Sequence, residues 1–202
     1  TVGSLVIPHE CPVCHAATEI RISEVSGTKT LHCTNEECPA KQLKKFARFV
    51  SKEGMNIDGI SEQTLSKFIN LGWVSEYADI YDLRRHIREL AQMEGFGEKS
   101  ASNIIRSIER STNVEAHRLL YALNIPLCGM DVCKRLLGAY PLDELVKEAT
   151  KETGDLFEPY REASHVFAHS DGIGPEKAAS FVNWSRDEHN KQRYHHLREK
   201  IT

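Results

Sequence analysis

A mainly α-helical fold led by a small metal-bound β-hairpin is predicted by three observations. Four cysteines form two close pairs, Cys11/Cys14 and Cys33/Cys38, with 18 residues between them. The residues between the pairs alternate polar and apolar around Ser26-Gly27. After Pro39 the apolar period becomes that of a helix, and one glycine-centred turn recurs four times.

Residues 1–10 read as the tail of a preceding linker, with Pro8 ending it. Residues 11–40 read as a four-cysteine zinc finger. Each pair supplies two thiolates from one knuckle, and the intervening stretch folds back to complete a tetrahedron. The structural zinc ligands are therefore Cys11, Cys14, Cys33 and Cys38. His9, His15 and His32 lie nearby, but four thiolates already fill such a site. Glu19–Val25 and Thr28–His32 form the hairpin strands. A module this small has too little apolar surface to fold by burial alone, so the metal supplies its folding energy. The sequence shows no signal-peptide pattern and no apolar stretch near the roughly 20 residues that cross a membrane. The paired cysteine spacing and the lack of a secretion signal favour reduced thiols over disulfides.

Residues 41–202 read as an all-α domain. Leu43, Phe46, Ala47 and Val50 mark one helical face. Four related turns follow, anchored at Gly59, Gly95, Leu127 and Gly172, at spacings of 36, 32 and 45 residues. One residue on from each stands Ile60, Phe96, Cys128 or Ile173. Two residues on stands Ser61, Gly97, Gly129 or Gly174. Six residues on stands Leu65, Ala101, Cys133 or Ala178. The register predicts a helix, a tight turn and a second helix, with the apolar residue pinning the turn to the core. Cys128 and Cys133 fall in apolar slots and read as core thiols, not as a second metal site. Glu152–Glu158 reads as a linker between helices, and Arg186–Lys200 as a charged peripheral helix.

The net charge of −3, from 26 Lys+Arg and 29 Asp+Glu, excludes binding by a large positive field. Local geometry offers another route. Each repeat resembles the helix-hairpin-helix motif, in which main-chain N–H groups of the turn hold the DNA backbone without reading sequence. A glycine turn brings the backbone close to a ligand, and the following helix starts with free N–H groups that form an anion site. The candidate DNA-binding residues are Gly59, Gly95, Gly97, Gly129, Gly172 and Gly174, with Lys99 and Lys177 as added point charges in the first helical turns. Copies two and four keep both glycines and lead the set; Ser61 and Leu127 mark copies one and three as structural or weaker contacts. Lys41, Lys44, Lys45 and Arg48 form a basic stripe on one helix, open to a phosphate backbone or to solvent alone.

The order of these parts closely resembles bacterial NAD-dependent DNA ligase, from about Ile7 to about Ile201. The resemblance is carried by Cys11-Pro-Val-Cys14, Cys33-Thr-Asn-Glu-Glu-Cys38-Pro-Ala-Lys, Met55–Ile60 and Gly95–Asn103. It implies a zinc module followed by four helix-hairpin-helix motifs, the DNA-binding portion of a cytoplasmic bacterial enzyme that seals nicks in duplex DNA during replication and repair. It implies zinc in this chain, and NAD and magnesium for the full-length enzyme only. The partners it implies are nicked double-stranded DNA and the enzyme's own adenylation and OB-fold domains, with no membrane. That family's adenylated lysine lies in a Lys-x-Asp-Gly motif, absent here; Asn56-Ile-Asp-Gly59 cannot replace it, because asparagine forms no phosphoramide. The chain therefore reads as a non-catalytic fragment with no catalytic or NAD-binding residues. A stand-alone DNA-structure-binding repair module and a protein-interaction scaffold remain open alternatives.

Overall fold

The structure, a computed structural model, describes residues 6–23, 26–151, 167 and 172–201. Part of the N-terminal tail, Glu24 and Val25 of the expected hairpin, and the linker expected at Glu152–Glu158 lie outside these residues. The chain divides into two compact units, Thr1–Lys45 and Phe46–Thr202. The division falls within helix α1 (Pro39–Val50).

The first unit is a two-stranded antiparallel sheet between two cysteine turns. Strand β1 (Thr18–Ile22) pairs with β2 (Lys29–Cys33), with Ile20 opposite Leu31 and Thr18 opposite Cys33. Gly27 takes φ +66° at the connecting turn, where glycine carries no steric cost. The alternation that predicts the hairpin does not build a core from it. Ile20, Ile22 and Leu31 remain 47, 59 and 42 % exposed, and the buried apolar side chains described in this unit are Cys11 and Cys38. Its interior is the cysteine cluster itself.

The second unit is helical: the rest of α1, then α2 (Glu62–Asn70), α3 (Tyr77–Tyr81), a 3₁₀ turn (Leu83–His86), α4 (Ile87–Gln92), α5 (Glu98–Ser111), α6 (Ala116–Ala122), α7 (Met130–Ala139), α8 (Leu142–Thr150), α9 (Pro175–Arg186) and α10 (Glu188–Lys200). Helices α4 and α5 pack together, as do α6 with α7 and α8 with α9. α5 shows why these segments are helical. Ala101, Ile104, Ile105 and Ile108 recur at helical spacing and are all buried. Phe49 stacks on Tyr77 with ring centroids 4.4 Å apart, and Phe167 meets Phe181 edge-on at 5.4 Å. Removing one of these buried rings would cost about 3–5 kcal/mol.

The charged C-terminal helix differs in its start from the sequence expectation. Arg186 ends α9, and Asp187 caps α10 by accepting from the Asn190 N–H. The Asp187 side chain offers the first-turn amide a better partner than a continuing helix does. α10 buries Leu197 and packs on α3. Lys200 pairs with Asp82 at the end of α3 at 2.9 Å, and Arg198 pairs with Asp143 of α8 at 3.1 Å. Among the described residues no helix is long and apolar enough to cross a membrane.

Candidate metal centre and candidate nucleic-acid interface

In the first unit the two knuckles converge. The sulfur atoms of Cys11, Cys14, Cys33 and Cys38 all lie within 4.8 Å of one another. Cys14 and Cys33 are 3.4 Å apart, and Cys11 and Cys38 are 3.9 Å apart. A disulfide needs about 2.05 Å, so these are four free thiols around one centre. The first knuckle turns back through His15 at φ +58°, whose N–H donates to the Cys11 carbonyl at 3.0 Å. In the second, the Cys38 N–H donates to the Asn35 carbonyl at 3.3 Å, and the Asn35 side chain accepts from the Glu37 N–H at 2.9 Å.

Backbone N–H groups of Cys14 and Val13 bring the Cys11 thiol down to about 6. The Ala16 N–H lowers Cys14, while burial pushes Cys33 up to about 12. N–H groups aimed at sulfur stabilise thiolate, the form that ligates metal. The set can hold a metal ion. His32 is not part of it; its Nε2 is 2.8 Å from Thr30 Oγ1.

In the helical unit the four repeats share one backbone. Gly59, Gly95, Leu127 and Gly172 take φ of +87°, +84°, +62° and +79°. The residues two further on, Ser61, Gly97, Gly129 and Gly174, are extended N-caps of α2, α5, α7 and α9. Each cap carbonyl accepts from the N–H four residues on, at Leu65, Ala101, Cys133 and Ala178, over 2.9 to 3.1 Å. Those four residues are buried, as are Ile60, Cys128 and Ile173 beneath the turns; Phe96 is half-buried. Leu127 thus departs from glycine in side chain and not in backbone. Cys128 and Cys133 are core thiols, and burial pushes them up to about 11 and about 12.

What separates the copies is the cap. Ser61 Oγ accepts from the Thr64 N–H at 3.1 Å, so the first helix satisfies part of its own N-terminus. Gly97, Gly129 and Gly174 supply no side-chain cap. A Cβ built on any of the three, or on Gly95, would meet nothing within 4 Å. No side chain caps the first-turn amides of these three helices, the arrangement that suits an anion. Lys99 and Lys177 are exposed in the first turns of α5 and α9. Of the basic stripe, Lys41 pairs with Glu36 at 2.7 Å, and the Arg48 guanidinium lies 5.2 Å from the Tyr121 ring centre.

The copies associate in twos. The Asp58 N–H, just before the first anchor, donates to Ser107 Oγ of α5 at 2.7 Å, and a Cβ on Gly59 would lie 3.0 Å from Ile104. In the second pair, Ser180 Oγ of α9 donates to the carbonyl of Pro126, just before the third anchor, at 2.5 Å. The Arg135 guanidinium of α7 lies against Gly172. The first turn therefore sits on the helix of copy two, and the third on the helix of copy four. This pairing brings Asn103, Arg106 and Arg110 of α5 beside Gly59. Sequence reading passed over these three. Their signal was there: with Lys99 they recur at i, i+4, i+7 and i+11, one exposed face of a helix.

No protein-family model matches the chain. A DNA ligase of Ruminiclostridium cellulolyticum is 38 % identical over 189 residues, covering 94 % of this chain and 27 % of the ligase. A DNA ligase of Rhodopseudomonas palustris is 34 % identical over 195 residues, covering 91 % and 26 %. One of Bacillus pumilus is 38 % identical over 146 residues, covering 72 % and 21 %. The chain spans about a quarter of the length of the curated relatives it matches.

Proposed function

Since this chain is a homologue of DNA ligases along nearly its whole length, we propose that it is the DNA-gripping, non-catalytic portion of an NAD-dependent DNA ligase that seals nicks in duplex DNA. The observation that carries the reading is the shared turn. Four left-handed anchors lead into extended caps, and three of the helices behind them lack a side-chain cap. Backbone amides held this way bind phosphate oxygens by position and charge, without reading bases. A net charge of −3 is compatible with that mode, because the contacts are local. The turns act as helix-hairpin-helix motifs, with Gly59, Gly95, Gly97, Gly129, Gly172 and Gly174 presenting backbone and Lys99 and Lys177 adding charge. NAD and magnesium belong to the adenylation chemistry of the whole enzyme, for which this chain has no Lys-x-Asp-Gly motif.

The metal in this reading is structural zinc. Four zinc–sulfur bonds of about 2.3 Å at tetrahedral angles set the sulfurs about 3.8 Å apart. The observed 3.4 and 3.9 Å separations support that fit. Cys11, Cys14, Cys33 and Cys38 would hold the ion and leave no open position for catalysis. Residues 11–40 act as the zinc module, positioning the helical domain 41–202 against the OB-fold of the same enzyme.

The test is binding of the zinc-loaded chain to nicked and intact duplexes, with a Gly97→Asp, Gly174→Asp double variant beside it. Asp is a favoured N-cap and both positions have room, so the variant keeps its fold. Its carboxylates occupy the amides and repel phosphate. Loss of sequence-independent binding in the variant supports the reading. Equal binding by both chains, or none by the parent, would sink it.

A further inference from the structure

Each paired turn leaves an open groove along the helix that supports it. The first is lined by Asp58, Gly59, Asn103, Arg106, Glu109 and Arg110; the lining of the second includes Pro126, Glu176, Ser180, Asn183 and Asp187. Counted from the anchors Gly95 and Gly172, the positions correspond. Four residues on stand Lys99 and Glu176. Eight on stand Asn103 and Ser180, eleven on Arg106 and Asn183, and fifteen on Arg110 and Asp187. Along the helix, α5 therefore carries cations at three of these positions where α9 carries Glu176, Asn183 and Asp187.

We propose that the α5 groove is a phosphate-backbone site of its own, in which Lys99, Arg106 and Arg110 supply most of the salt-dependent affinity for duplex DNA. The α9 turn contributes amides and Lys177, with no cationic stripe among the described residues along its groove. The proposal rests on the DNA-binding reading above and adds to it which half of the repeat array bears the electrostatic load. The three cations and Asn103 are exposed on one face of α5, over about 16 Å of helix. A DNA strand carries one charge per roughly 3.4 Å of axis, so a stripe of this length spans several phosphates. Arg106 has no ion-pair partner among the described residues. Arg110 lies 3.1 Å from the Asp58 carboxylate, but both side chains are more than 70 % exposed, and such a surface pair yields readily to a phosphate. Glu109, which also lines the groove, is engaged by Arg84 at 2.6 Å.

The experiment measures affinity of the whole zinc-loaded chain for a nicked duplex across a salt series. The Lys99→Gln, Arg106→Gln, Arg110→Gln variant is compared with a control of equal charge, Lys147→Gln, Lys151→Gln, Lys191→Gln, both checked for fold by circular dichroism. The groove variant is expected to lower the slope of log affinity against log salt by about 2–3, near 0.9 for each phosphate no longer neutralised. The control keeps the parental slope. A parental slope in the groove variant, or equal losses in both variants, overturns the proposal while leaving the DNA reading intact. No binding by the parent chain overturns both.

Discussion

The Asp58 N–H donates to Ser107 Oγ across 49 residues of sequence, at 2.7 Å, and this bond seats the first turn on α5. Ser107 is a buried polar residue that also accepts from Arg110 at 3.2 Å. Replacing it with alanine strips a partly buried N–H of its partner. Ser107→Ala is expected to cost about 1–3 kcal/mol, the penalty for an unsatisfied donor. Urea denaturation measures it, and a loss below the error of extrapolation would show that the turn finds another partner.

Leu127 and Gly59 hold the same left-handed backbone with different side chains. Leu127 is 58 % exposed, so its side chain contributes little burial against the strain of φ +62°. Leu127→Gly should stabilise the chain by about 0.5–1 kcal/mol, the relieved strain less the entropy cost of glycine. Gly59→Ala should do the reverse by about 1–2 kcal/mol, because its Cβ adds strain and presses on Ile104. Melting temperatures moving the same way in both variants would contradict this account.

Metal removal should melt one unit and spare the other. The first unit buries Cys11 and Cys38 in place of an apolar core, whereas the second has its own aromatic and aliphatic interior. A chelator, or Cys38→Ser, is expected to abolish amide protection across β1 and β2 and leave most of the helical circular dichroism. Protection of the hairpin that survives chelation would mean that packing, not metal, supports it.

The start of α3 should be sensitive to acid. Burial raises the Asp79 carboxyl, but the N–H groups of Glu76 and Ser75 and the Ser75 hydroxyl outweigh it and hold the group below its ordinary value. All three donate to Oδ2, over 2.8 to 3.0 Å. A depressed folded pKa contributes stability that is fully present above the unfolded value, about 3.9, and is lost as pH falls through the folded one. Asp79→Asn is expected to cost about 1 kcal/mol at pH 7, as a lost cap does, and to narrow its deficit below pH 4. A deficit that stays constant from pH 7 to pH 3 would assign the effect to packing.

Much of the fold was legible in local pattern. Cysteine spacing, the alternating hairpin and the register of apolar residues behind each turn are short-range signals, because metal knuckles, strands and helix starts are set by neighbours within a few residues. The same reading ran Arg186 into the last helix, since a cap at Asp187 depends on one side chain finding one amide. It weighed Leu127 as a departure, because leucine rarely takes a positive φ and only the surrounding turn imposes it.

By itself, the sequence determined the cysteine cluster, the hairpin, the four helix starts and the residues beneath them. Tertiary structure alone decided which turns pair, since Asp58 with Ser107 and Pro126 with Ser180 are joined across 49 and 54 residues by hydrogen bonds that no local period encodes. It also decided that the apolar face of the hairpin lies open, and that Arg106 and Arg110 stand beside a turn from another repeat. Local propensity is written residue by residue, whereas the placement of one helix on another follows from how their buried faces fill space together.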